Sequence, residues 1–182
     1  FCLSRGLGDV YKRQGWDFTR RQHREAAIKY IERVKPRLLI GSPECRLFST
    51  MQNMKRDRTS DKYKEEMKDA EEHMKFVTSL YQRQIKAGRW FLHGHPVGAS
   101  SWRLHEVIKV TKAEGVVTVT ADQSMYGLTT KSDDKKRQLP ARKRTRFMTN
   151  SRYIADELQR KCEGKHRHQW LVNGRAKAAA EY

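Results

Sequence analysis

The sequence is short of the residues that staple or punctuate a small fold. It has three cysteines in 182 residues, a sparse and odd set that argues against a secreted disulfide scaffold. A reducing intracellular compartment, nuclear or cytoplasmic, is therefore the expected setting. No window approaches the roughly 18 consecutive apolar residues of a membrane-spanning helix, so no membrane partner is expected. The four prolines and eleven glycines do not gather into an interdomain linker, and no internal repeat is present. Acidic residues are few beside basic ones, 21 Asp and Glu against 39 Lys and Arg, which leaves a formal net charge of +18. That excess points to polyanionic partners or weak nonspecific binding to DNA or other nucleic acid, and does not say which. Hydrophobic residues make up 37% of the chain, below the roughly 45–50% of an average globular protein. They come in clusters, so one core in one domain is still expected.

The first fourteen residues, Phe1–Gln14, have neither helical nor strand periodicity and no apolar run of the signal-peptide kind. They resemble translated adapter sequence and are left out of the fold expectation, which concerns residues 15–182 as a partial domain. Leaving them out removes Cys2, and Cys45 and Cys162 remain.

From there the chain alternates. Thr19–Val34 carries Ala26, Ala27, Tyr30, Ile31 and Val34 at helical spacing, and Lys35-Pro36 ends that helix. Arg37–Gly41 reads as a short buried strand and Ser42–Arg58 as a loop. Ser60 or Asp61 can cap a second helix running to Ala87. Its stripe of Tyr63, Met67, Ala70, Met74, Val77, Tyr81 and Gln84 is read as core-facing, and Gly88 follows as a stop. Arg89–His93 reads as a strand, Ser101–Ala113 as a helix and Val116–Thr120 as a β-branched strand. Ser124–Thr130 and Thr145–Thr149 read as two further strands flanking a basic loop, and Asn150–Lys161 as a last helix. Burial is the default for Trp16, Trp90, Trp102 and Trp170. The order α-β-α-β-α-β-β-β-α predicts an α/β sheet with crossover helices and a late antiparallel pair at one edge.

In an open α/β sheet, chemistry sits beyond the carboxyl ends of the strands. The first strand leads into Gly41-Ser-Pro43-Glu44-Cys45-Arg-Leu-Phe48-Ser49, which puts a thiol there. This segment resembles the proline-cysteine loop of DNA cytosine-5 methyltransferases, G-x-P-P-C-x-x-F-S, with Glu44 in place of the second proline. Upstream, Gly15-Trp16-Asp17-Phe18-Thr19 resembles that family's G-D-[IV]-T element with one residue inserted. Downstream, Arg89–Pro96 stands where the family has a strand followed by E-N-[VP]. Met125–Thr129 and Lys143–Asn150 resemble its later strands in phage-type members. Degraded domains of this kind also occur in mobile-element polyproteins, and the sequence looks more like that branch.

The resemblance implies a Rossmann-like, S-adenosylmethionine-dependent methyltransferase sheet. It implies that Asp17 contacts the cofactor's adenine, that Pro43 belongs to the cofactor side of the loop, and that the Cys45 thiolate attacks cytosine C6. C5 then takes the methyl group, the enzyme is eliminated, and the target base must first leave the duplex. The family's Glu assists at cytosine N3, but Gly94 occupies that position and His95 the Asn position. His93 or His95 is the available substitute, because histidine titrates near neutrality. The family's F-x-G-x-G cofactor loop is expected before Gly15, where only the adapter-like segment stands. A methyltransferase-like fragment, inactive as written, is the expectation.

Two further segments carry charge or metal-ligand chemistry. Lys131–Arg146 holds eight basic and two acidic residues, with Lys143, Arg144 and Arg146 nearest the target-base side and suited to phosphates. Cys162, His166 and His168 place three possible metal ligands close together, but without a partner CxxC pair. That segment is read as a structural turn with no metal. The alternative function is a noncatalytic basic nucleic-acid-binding domain of a retrotransposon-type polyprotein.

Overall fold

The computed structural model describes residues 16–49, 57–133 and 136–171. Phe1–Gln14 and part of the Ser42–Arg58 loop lie outside the described residues. The elements are α1 (Arg21–Val34), β1 (Leu38–Gly41), α2 (Asp61–Lys86), β2 (Trp90–Pro96), α3 (His105–Thr111), β3 (Val117–Asp122), β4 (Thr129–Lys131), β5 (Gln138–Arg142), β6 (Arg144–Thr149), α4 (Arg152–Glu157) and β7 (Gln169–Trp170). Single 3₁₀ turns at Ser100–Arg103 and Gln123–Tyr126 connect them. The protein is mixed α/β with two small mixed sheets, ordered β1-β2-β6-β3 and β4-β5-β7.

The larger sheet has helices on both faces. Side chains alternate along β2, so Phe91, His93 and His95 face one way and Leu92 and Gly94 the other. On the first face Phe91 and Met148 join Ala27 and Ile31 of α1, Met74, Val77 and Tyr81 of α2, and Val107 and Val110 of α3 in the main core. On the second, Leu92, Ala121 and Phe147 form a smaller core with Ile154 of α4 packed against it. Fully burying an aliphatic or aromatic side chain contributes about 1.5–3 kcal/mol, so the main core carries most of the stability. Ser60 caps α2, its Oγ accepting the Tyr63 N–H. At the other end Gln84 is buried, donating to the carbonyls of Pro36 and Trp90 and accepting from Arg89. One side chain thus ties the starts of β1 and β2 to α2.

The structure corrects the sequence reading in several places. The reversed strand β6 is not an edge addition. It lies between β2 and β3, antiparallel to both, because its alternation buries Thr145, Phe147 and Thr149 on one face and Met148 on the other. The basic stretch is not one loop, since β5 lies inside it and pairs with β4. Charge concealed the buried Ala141, and Pro140 argued against a strand. Residues 123–126 form a 3₁₀ turn rather than a strand, closed by Gly127 at φ 85°. The last helix is shorter than expected because the Asn150 side chain instead bridges the backbone of Phe91 and Arg89, and Ser151 caps α4. On α1 only Ala27 and Ile31 are buried, while Ala26, Tyr30 and Val34 face solvent. Trp90 and Trp170 are exposed, each beneath an arginine, Arg37 and Arg142 respectively.

Candidate active site

β1 and β2 run parallel, so their carboxyl ends share one edge of the sheet. The chain leaves β1 at Gly41, where no side chain can fit: a Cβ there would sit 2.0 Å from the Tyr81 hydroxyl. Three long-range bonds then fix the following loop. Ser42 Oγ donates to the Gly94 carbonyl at 3.1 Å. His95 Nε2 reaches the Pro43 carbonyl at 2.7 Å. The Ser100 N–H reaches the Phe48 carbonyl at 2.8 Å. Cys45 sits within this pinned loop, half-buried.

His95 is committed to holding the loop rather than to proton transfer. The Pro43 carbonyl only accepts, so Nε2 carries the proton, and Nδ1 accepts from Ser101 Oγ at 2.7 Å. Both ring nitrogens are spent on holding the loop, and burial lowers the imidazole pKa to about 4. His93 is fully buried, with Nδ1 beside the Tyr81 hydroxyl at 3.1 Å and Nε2 without a partner. Burial first, and then His95, holds it neutral as well. Gly94 points to the other face, where a Cβ would lie 3.0 Å from Cε1 and 3.1 Å from Cδ1 of the buried Phe147. A glutamate at this position would have to displace a core ring.

Asp17 and Pro43 line the same cavity, one of about 290 Å³ between the start of α1, the Cys45 loop and the first half of α2. Its walls carry Trp16 and Phe18 together with four carboxylates, Asp17, Glu44, Glu66 and Asp69. Arg46 lines it as well and pairs with both Glu44 and Glu66. Asp17 Oδ1 accepts from the Thr19 N–H and hydroxyl, and Oδ2 pairs with Arg20 at 3.3 Å. Glu44, in place of the expected second proline, pairs with Arg46 at 3.1 Å.

Of the three basic residues named from sequence, Lys143 comes to Cys45. Burial raises the thiol pKa and the Lys143 ammonium lowers it in part. Burial also lowers the pKa of Lys143 itself. The net rise leaves Cys45 a thiol at neutral pH, a poor nucleophile. Arg146, paired in register with His95, lies over the Trp102 ring at 5.1 Å. Arg144 turns to Asp122, at 3.2 Å, and does not join them. Elsewhere the structure draws Cys162, His166 and His168 together, with their ligand atoms within 4.8 Å of one another.

Sequence reasoning missed the His95–Pro43 strut, the Tyr81–His93 contact and the acidic wall that α2 gives the cavity. The strut spans 52 residues and ends on a backbone carbonyl, which leaves no side-chain pattern to find. The carboxylates of α2 were legible only as a solvated helix face. No helix among the described residues is long and apolar enough to cross a membrane. Comparison with known protein families, curated proteins and solved structures finds no match to this chain.

Proposed function

We propose that the chain is a methyltransferase-like domain of the DNA cytosine-5 type that retains a cavity for S-adenosylmethionine and does not turn over. The observation that carries this reading is the meeting of Asp17 and Pro43, far apart in sequence, in one cavity beside the Cys45 loop at the end of β1. About 290 Å³ is near the lower end of small-molecule sites, roughly 300–1,000 Å³. Trp16 and Phe18 offer flat apolar surface for a heteroaromatic ring, and Asp69 adds a carboxylate beside the Glu44–Arg46–Glu66 ion cluster. When bound, S-adenosylmethionine supplies a methyl group from a sulfonium centre.

The lack of turnover follows from the catalytic side. Gly94 carries no proton donor, and Phe147 fills the space one would need. His93 and His95 are buried and neutral. Cys45 is held protonated despite Lys143. Isothermal titration with S-adenosylmethionine tests the reading. One binding site is expected, weakened by Trp16→Ala and by Asp69→Asn, with no methyl transfer to cytosine-containing DNA. Absence of binding overturns it.

A second reading is a noncatalytic nucleic-acid-binding domain of a retrotransposon-type polyprotein. It is favoured by the net charge of +18 and by Lys143 and the Arg146–Trp102 stack at the Cys45 end of the sheet. Phosphate-dominated binding falls steeply with salt, and a flat salt response counts against it.

A further inference from the structure

We propose that Cys162, His166 and His168 form a zinc site that fastens the segment after α4 to the end of β3. The three ligands come from one seven-residue stretch, C-x₃-H-x-H, and their ligand atoms lie within 4.8 Å of one another. Cys162 Sγ lies 3.5 Å from His166 Nε2, and His166 Nε2 lies 3.2 Å from His168 Nε2. Tetrahedral zinc, with Zn–S of about 2.3 Å and Zn–N of about 2.0–2.1 Å, sets S···N edges near 3.6 Å and N···N edges near 3.3 Å. Two edges of the polyhedron are already at those lengths. The two imidazoles bring the same nitrogen, Nε2, to one point, with ring centroids 4.4 Å apart. A shared metal accounts for that approach by using both lone pairs at once.

The surroundings fit a thiolate ligand. Gly164, in the left-handed region at φ 76°, turns its N–H onto Cys162 Sγ at 3.3 Å, which stabilises negative charge on sulfur. The Cys162 N–H donates to Asp122 Oδ2 at 2.9 Å, and the Asp122 N–H donates to the Arg160 carbonyl at 3.0 Å. The carboxylate therefore anchors the ligand loop to the end of β3. Ser124 Oγ lies 3.3 Å from His168 Nε2. Three protein ligands leave a fourth position for water. A cavity of about 260 Å³ lined by Asp122, Ser124, Cys162 and His168, and by the cations Arg142, Lys143 and Arg144, gives it room. Directly after His168 the chain forms β7, which pairs with Ala141 and Arg142 of β5. Metal binding at the loop would therefore also hold β7 on the smaller sheet.

The test uses the full chain, stripped of metal by a chelator under reducing conditions and titrated with Zn²⁺ against a chromophoric competitor and with Co²⁺. One equivalent of each metal is expected. The cobalt form should show a thiolate charge-transfer band and the intense visible bands of four-coordinate geometry. Cys162→Ser or His166→Ala should weaken zinc binding by roughly a hundredfold or more, since loss of an outer-shell partner alone typically costs about 10–100-fold. Cys45→Ser should leave it unchanged. Amide exchange in residues 162–170 should slow on zinc addition. A six-coordinate cobalt spectrum, no stoichiometric uptake, or zinc binding that survives both Cys162→Ser and His166→Ala overturns the proposal.

Discussion

The two described cysteines sit in opposite kinds of surroundings. Cys45 belongs to a loop held by residues some fifty positions away, through Gly94, His95 and Ser100. Cys162 belongs to a cluster assembled almost wholly from its own next six residues, with Asp122 and Ser124 as more distant contacts. Both are half-buried thiols beside nitrogen-bearing side chains. Cys45 feels the Lys143 charge from within a loop that His95 holds through Pro43, and burial keeps its proton on. Cys162 meets two imidazoles and a backbone N–H directed at its sulfur. What a thiol does is decided by what the fold spends its neighbours on. At Cys45 the histidine that could do chemistry is spent on geometry.

The sharpest way to break this contrast is to place a carboxyl group at position 94. Gly94→Glu puts a charged side chain against buried Phe147 and should cost about 4 kcal/mol or more, read as a drop in urea midpoint. Shrinking the ring with Phe147→Ala in the same chain should recover part of the loss. Next is the strut. His95→Ala leaves the Pro43 carbonyl and Ser101 hydroxyl without their partner and opens a cavity. Each buried orphan costs about 1–3 kcal/mol, so a total of about 2–6 kcal/mol is expected, with the Cys45 loop loosened in amide exchange.

The same histidine predicts a pH effect. Its native pKa is about 4, below the unfolded value of about 6.5. Between those limits the unfolded chain binds the proton and the native chain does not. Its stabilisation is thus complete above about pH 6.5 and is lost as pH falls toward 4, by about 3 kcal/mol. His93 acts in the same direction. His95→Gln should flatten that part of the stability–pH curve measured by chemical denaturation, and an unchanged slope would contradict the assignment. A smaller effect concerns Lys143. Removing its charge with Lys143→Met should raise the Cys45 pKa further and slow iodoacetamide alkylation of Cys45 at neutral pH by a few-fold. Smallest is Arg144→Ala, because the Arg144–Asp122 pair is largely exposed on the arginine side and such pairs contribute about 0–1 kcal/mol.

These contrasts also mark what the sequence could reveal. The stripe from Met74 to Gln84 identified the core face of α2, and Leu-Leu-Ile-Gly identified β1 with Cys45 just beyond it, because both are local periodicities. The position of β6 was hidden, since nothing within Thr145–Thr149 says which strands will flank it. β5 was hidden by charge, its one fully buried residue being Ala141. Asp17 and Pro43 were legible through motif resemblance, but their common cavity needed α2 to close it. His93 and His95 read either as a substitute for the family's Glu or as two polar residues at a strand end. Only the packed sheet assigns them to Tyr81 and to Pro43.

The proposed function joins a ligand cavity to a loop that does not transfer methyl. The most direct measurement incubates the chain with methyl-labelled S-adenosylmethionine and cytosine-containing DNA, then follows bound label and label in DNA separately. The account predicts label bound to the protein, displaced by excess unlabelled ligand, and none in DNA. Label appearing in DNA, and lost with Cys45→Ala, would contradict it.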